Sequence, residues 1–114
     1  MNWIPLESVN QINKIIERSK NIPCVIFKHS TSCSISSMAK FRLEGDWDFS
    51  NNDIEPYYLD LIAHRDVSNQ LAETFSVHHE SPQILLIKNG ECTYDSSHLD
   101  ITVNELKEGL TAKW

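Results

Sequence analysis

The dipeptide Asn89-Gly90 stands between two strand-like runs, Gln83-Ile84-Leu85-Leu86-Ile87-Lys88 and Glu91-Cys92-Thr93-Tyr94. Asn-Gly in that setting is the strongest short-range signal for a tight hairpin, because both central residues of the favoured turn take positive φ. It commits the C-terminal part of the chain to an antiparallel strand pair. Upstream, Pro23-Cys24-Val25-Ile26-Phe27-Lys28 is too short for a helix and apolar on both faces, as a central strand is. Pro56-Tyr57-Tyr58-Leu59-Asp60-Leu61 reads as another strand.

Helical spacing fills the intervals. Ser8 and Gln11 form a capping box ahead of Val9, Ile12, Ile15 and Ile16, which predicts a helix over about 8–19. A second helix begins at or beside Cys33, with Ile35, Met38 and Ala39 on one face and Gly45 as the residue that stops it. The acidic, Asn-rich stretch from Asp46 to Glu55 reads as a loop whose Trp47 and Phe49 fold back onto the body. Asp66 caps a third helix carrying Val67, Leu71 and Phe75, and Thr102 with Glu105 opens a last one carrying Val103, Leu106 and Leu110. Strand–helix–strand units call for parallel neighbours with right-handed crossovers, and the hairpin adds an antiparallel edge. The expected architecture is α/β in the order αβαβαββα: a four-stranded mixed sheet covered by helices, with an N-terminal helix before the first strand. That is the element order of the thioredoxin fold.

With 114 residues and no internal repeat or low-complexity linker, residues 1–114 are expected to form a single domain. A chain of this size buries roughly two-thirds of its unfolded surface, enough to fold without disulfide staples. Gly45, Gly90 and Gly109 are spaced too widely for a phosphate loop or a GxGxxG turn. A net charge of −6 opposes the counterion release that drives nucleic-acid binding. The longest aliphatic run is the four residues Ile84–Ile87, far short of a membrane span, and Met1–Glu7 lacks the basic and apolar regions of a secretory leader. The expectation is a soluble cytoplasmic protein with neither nucleic acid nor membrane as partner.

Chemistry then falls to the three cysteines, Cys24, Cys33 and Cys92, an odd number that matches neither a disulfide framework nor a CxxC zinc pair. A thiol at a helix N-terminus faces unsatisfied backbone N–H groups and the positive end of the macrodipole, both of which favour thiolate. Cys33 fits that description and is flanked by Ser30, Thr31, Ser32, Ser34 and Ser36 rather than by apolar residues. In Cys33-Ser34-Ile35-Ser36 a hydroxyl stands where a dithiol would carry its second cysteine. Ser36 is expected to donate a hydrogen bond to the thiolate without resolving a mixed disulfide, so the site is monothiol. Cys24 lies within an apolar strand, where desolvation raises a thiol pKa, and is expected to pack inertly. Cys92 serves as a resolving thiol only if it reaches Cys33.

Pro82 precedes a strand, and an ordinary trans bond there is the default on residue type alone; a cis Ser81-Pro82 bond would instead place a free backbone edge beside the active-site helix. His78 and His79 are adjacent and point to opposite faces of an extended chain, while His29, His64 and His98 stand apart, so a metal site is not expected.

Lys28-His29-Ser30-Thr31-Ser32-Cys33-Ser34-Ile35-Ser36, Glu80-Ser81-Pro82-Gln83, Lys88-Asn89-Gly90 and Ser97-His98-Leu99-Asp100-Ile101-Thr102 together resemble the YtxJ-type monothiol bacilliredoxins over nearly the whole chain. The resemblance implies a thioredoxin-like oxidoreductase that removes bacillithiol, a low-molecular-weight thiol, from protein mixed disulfides. It implies Cys33 as nucleophile and Ser36 as its catalytic partner, with a cis Pro82. Ser32, Ser34, Ser81 and Pro82 are expected to contact the substrate. No bound cofactor is expected, the small thiol being a co-substrate, and the partners are S-thiolated client proteins. Ser34 departs from the family, which typically has proline there; the change adds an N–H near the sulfur. Two other classes share parts of this pattern: the cluster-carrying Cys-Gly-Phe-Ser glutaredoxins, whose Gly, Phe and Gly-Gly pair are missing here, and non-catalytic adaptors with the same fold.

Overall fold

The structure, a computed structural model, describes residues 2–50 and 52–111. In chain order the elements are β1 (Ile4–Pro5), α1 (Asn10–Arg18), β2 (Cys24–His29), α2 (Ser34–Asp46), β3 (Glu55–Asp60), α3 (Arg65–Phe75), β4 (Gln83–Lys88) and β5 (Glu91–Ser97), followed by a 3-10 turn (His98–Asp100) and α4 (Val103–Thr111). They build one five-stranded sheet in the order β1-β3-β2-β4-β5, with β1, β3 and β2 parallel and β4 and β5 antiparallel. The expected sheet of four strands therefore gains a fifth, and a strand rather than a helix comes first. Ile4 and Pro5 pair with Tyr57 and Tyr58. Two residues, one of them a proline without an N–H, leave no alternating pattern to read.

Each face of the sheet has its own apolar core. Ile12 and Ile15 of α1 and Val67 and Leu71 of α3 pack with Cys24, Ile26, Leu59, Leu85 and Ile87. On the other face Ala39 and Leu43 of α2 and Val103 and Leu106 of α4 pack with Val25, Phe27, Ile84 and Leu86. Alternate residues of β2 thus feed opposite cores, which is why the strand is apolar on both sides. Trp47 and Phe49 fold back onto the second core as expected; Asn51, within the same expected loop, lies outside the described residues.

Several local expectations shift. The Gln11 side chain accepts from the Glu7 and Ser8 amides at 2.7 and 3.0 Å, but the Ser8 hydroxyl makes no cap bond and Val9 is the exposed N-cap. Gly45 lies inside α2 rather than after it. That helix buries Ser36, Ala39 and Leu43, leaving Ile35 and Met38 in solvent. His64, not Asp66, is the N-cap of α3. At α4 the expected cap is present, the Glu105 amide donating to Thr102 Oγ1 at 3.1 Å.

The hairpin turn forms as anticipated, with Asn89 at φ 52° and Gly90 at φ 80°. It is tied to the end of α1: the Asn89 amide donates to Ser19 O at 3.0 Å and the Gly90 amide to Ser19 Oγ at 2.8 Å. Along β4 and β5 the register shifts between Leu86↔Tyr94 and Ile87↔Cys92, so Thr93 is the extra residue of a bulge on the edge strand. Among the described residues no helix is long and apolar enough to cross a membrane.

Candidate active site

The parallel strands β1, β3 and β2 all point their carboxyl ends one way, and the chain leaves β2 there through Ser30–Ser32 to reach Cys33. Cys33 is the N-cap of α2, with extended backbone (φ −111°, ψ 121°), and its side chain makes no capping bond to the helix. Its own amide donates to Ser30 O at 3.2 Å, and its carbonyl accepts the first helical bond, from the Ser37 amide at 3.1 Å. The amides of Ser34, Ile35 and Ser36 precede that bond and have no intrahelical acceptor. Cys33 is partly exposed at the N-terminus of a 13-residue helix. Ser32 and Ser34, on either side of it, are exposed.

The Ser36 hydroxyl, expected on the sulfur, is engaged elsewhere. Ser36 is fully buried; its Oγ lies 2.6 Å from His29 Nδ1 and accepts the Ser30 amide at 3.0 Å. Ser30 is thereby gripped twice, its N–H by Ser36 and its C=O by Cys33, which sets the turn that presents the thiol. His29 is itself buried, stacked on Phe27 with centroids 5.7 Å apart. Burial lowers its pKa, and Lys40 lowers it further.

The other wall comes from the segment before β4. The Ser81-Pro82 bond is cis, as the family resemblance implied and against the default for residue type. Lys28↔Gln83 pairing between antiparallel β2 and β4 places Pro82 beside the end of β2 from which the Cys33 turn departs. Thus the fold brings Cys33, Ser32 and Ser34 to the same end of the sheet as Ser81 and Pro82. Pro82 O accepts the His98 amide at 3.0 Å, and His98 Nε2 lies 3.4 Å from a Glu80 carboxylate oxygen. Ser81 Oγ is buried and, among the described residues, has no hydrogen-bond partner.

Beneath this segment lies a group that sequence reasoning missed. Lys28 is 1% exposed, and its ammonium donates to His79 Nδ1 at 2.7 Å and to Gln83 Oε1 at 3.2 Å. Gln83 Nε2 donates in turn to His78 O at 3.0 Å. Burial pulls the Lys28 pKa down to about 8, with Glu80 opposing. A lysine at the end of an apolar strand carries no local sign of this, because its partner is 51 residues away.

The remaining thiols are placed for packing. Cys24, at the opposite end of β2, is fully buried, and desolvation pushes its pKa up to about 12. Cys92 is paired with Ile87, four positions along β4 from Gln83 or about 13 Å. It sits at the far end of the sheet from Cys33 and cannot resolve a disulfide there; burial raises its pKa to about 11. Among the described residues no three His, Cys, Asp or Glu side chains group to hold a metal ion.

Comparison with known proteins agrees with this arrangement. A family model for the monothiol bacilliredoxin BrxC matches residues 4–106. A solved structure with a thioredoxin fold, provisionally described as an oxidoreductase, is 34% identical with a TM-score of 0.80, the match covering 93% of this chain and 91% of that one. Thioredoxin from Malassezia sympodialis is 16% identical (TM-score 0.75; 96% and 89% covered), and that from Trypanosoma brucei brucei is 13% identical (TM-score 0.75; 96% and 88% covered). At those identities the likeness establishes the fold alone, and the fold is that of thioredoxin.

Proposed function

Because the chain belongs to the monothiol bacilliredoxin family, a thiol redox family, we propose that it strips a low-molecular-weight thiol, bacillithiol, from protein mixed disulfides, using Cys33 as the single nucleophile. The observation that carries this reading is the placement of Cys33: a helix N-cap whose sulfur makes no capping bond, at the sheet end that also holds cis-Pro82.

The exchange needs no net oxidant. Cys33 thiolate attacks the small thiol's sulfur; the bond between that sulfur and the client cysteine breaks, and the client leaves as a thiolate. Cys33 now holds the small thiol in a mixed disulfide. A second small thiol attacks the same sulfur, releasing a small-molecule disulfide and regenerating the Cys33 thiolate. The first-turn amides stabilise the negative charge whenever it resides on Cys33. Ser81, beside Pro82, offers its backbone groups to orient the adduct, and the exposed Ser32 and Ser34 supply hydroxyls to its polar parts. The thiol enters as co-substrate, so no bound cofactor is required, and the partners are S-thiolated clients.

A model protein carrying a bacillithiol mixed disulfide, mixed with this chain and analysed by intact mass, tests the reading. Wild type gains one small-thiol adduct on Cys33 and Cys33→Ser gains none. An adduct in both sinks the site assignment, and an adduct in neither points to an adaptor. A visible absorption band after anaerobic cluster reconstitution, lost in Cys33→Ala, would point to a cluster carrier.

A further inference from the structure

The pairing of His29 with Ser36 is not used by the exchange steps, yet it ties the end of β2 to the first turn of the helix that Cys33 caps. A hydroxyl has one hydrogen to give. The Ser30 amide is a donor, so among the described partners of the buried Ser36 hydroxyl only His29 Nδ1 can accept that hydrogen. A buried O–H requires an acceptor. Donation from Ser36 to Nδ1 satisfies this requirement, and that arrangement has a bare Nδ1, the ring proton on Nε2 and a neutral imidazole. The charged and titratable groups acting on the ring are Lys40 and Glu44 from α2 and Asp60 and Tyr58 from β3. Burial and Lys40 favour the neutral ring; the two carboxylates and a backbone hydrogen bond at Ser36 oppose them.

We propose that His29 is a positioning residue for Cys33: by accepting the Ser36 hydroxyl hydrogen it keeps that hydrogen off the sulfur and fixes the turn from Ser30 to Cys33. The proposal rests on Cys33 being the nucleophile. A thiolate that receives a hydroxyl hydrogen bond is a weaker base and, thiolate for thiolate, a slower nucleophile. Removing the acceptor at position 29 frees the Ser36 hydrogen, and the proposal assigns it to the Cys33 sulfur, three residues earlier at the start of the same helix.

The tautomer is read directly on the wild-type protein by nitrogen-15 NMR of the imidazoles. At neutral pH a bare Nδ1 and protonated Nε2 are expected at His29; a protonated Nδ1 overturns the proposal. The consequence for sulfur is read from iodoacetamide alkylation of Cys33, localised by peptide mass, as a function of pH. In His29→Leu the midpoint falls by about one pH unit and the plateau rate by about threefold. His29→Asn, which keeps an acceptor near the Nδ1 position, restores the wild-type profile. In His29→Leu/Ser36→Ala the midpoint shift disappears. No shift in folded His29→Leu, or a shift that persists without the Ser36 hydroxyl, overturns the proposal. Ser36→Ala alone guards against a leucine variant that does not fold: its midpoint stays in place if the hydrogen is on His29, and a rise shows it was on sulfur. Alkylation needs no bacillithiol, so failure of the exchange reading would appear as a missing adduct with this profile intact.

Discussion

Cys24 and Cys33 are nine residues apart and flank opposite ends of one strand, and the contrast between their surroundings is what the proposed division into a structural and a reactive thiol rests on. Cys24 opens β2 inside an apolar core, without access to water and with its pKa pushed up to about 12. Cys33 lies just past the other end, where the chain has left the sheet and begins a helix. The same side chain is desolvated in one place and offered a row of backbone donors in the other. Under the proposed function, reactivity follows from where the strand stops, because the first amides of the helix that begins there lack intrahelical acceptors.

That contrast is broken outright if Cys33→Ser still takes up a small-thiol adduct from a mixed-disulfide client; complete loss is expected, with Cys24→Ala retaining the adduct. A graded version compares thiol alkylation in buffer and in denaturant. Raising a thiol from about 9 to about 12 cuts its thiolate fraction roughly a thousandfold near pH 8, so Cys24 should be protected in the native protein by at least that factor and become ordinary in urea. Similar native and unfolded rates at Cys24 would contradict its placement.

A third test concerns the buried cation at the reactive end. The folded pKa of Lys28, about 8, lies below its usual 10.5, so the unfolded chain binds the extra proton between those values. Folding stability from this group therefore rises with pH from about 8 to 10.5, and below pH 8 the full penalty applies, on the order of 3 kcal/mol. Urea midpoints of wild type and Lys28→Met at pH 7 and pH 10 check it: the difference should move in favour of wild type at the higher pH. Cys24 and Cys92, whose pKa values are raised, act in the opposite sense but cancel in that difference. The smallest effect is expected at the far end. Ser19→Ala removes the acceptor of the Gly90 amide and should cost about 1 kcal/mol in denaturant unfolding, while adduct formation at Cys33 proceeds at the wild-type rate. A slowed adduct would show the two ends to be coupled.

What was legible in the sequence was what local geometry dictates. Asn89-Gly90 specified its turn because both positions need positive φ, and Cys33 could be placed because a polar cluster between a strand and a helix marks a helix start. The match to the monothiol bacilliredoxins carried those placements into a family and a fold. Interactions closed only by tertiary structure stayed hidden. β1 is two residues long and owes its existence to β3. Gly45 reads as a stop signal, yet it remains in the helix with open space around it. The acceptor for the Ser36 hydroxyl is supplied by the strand before it, and Lys28 finds its partner in a segment folded back from the far side of α3. Candidate site residues were thus recognisable by type, but the direction in which each hydroxyl points was not.

The bulge at Thr93 bears on how copies of the chain meet one another. β5 is the sheet's outer strand, and an uninterrupted outer strand offers a straight row of donors and acceptors on which another molecule can lay its own. Here that row is kinked at Thr93, and Glu91 and Asp95, exposed on either side, would meet their own charge in an approaching copy. The open edge is therefore a poor template for sheet extension, so concentrated protein should resist fibre growth from this side.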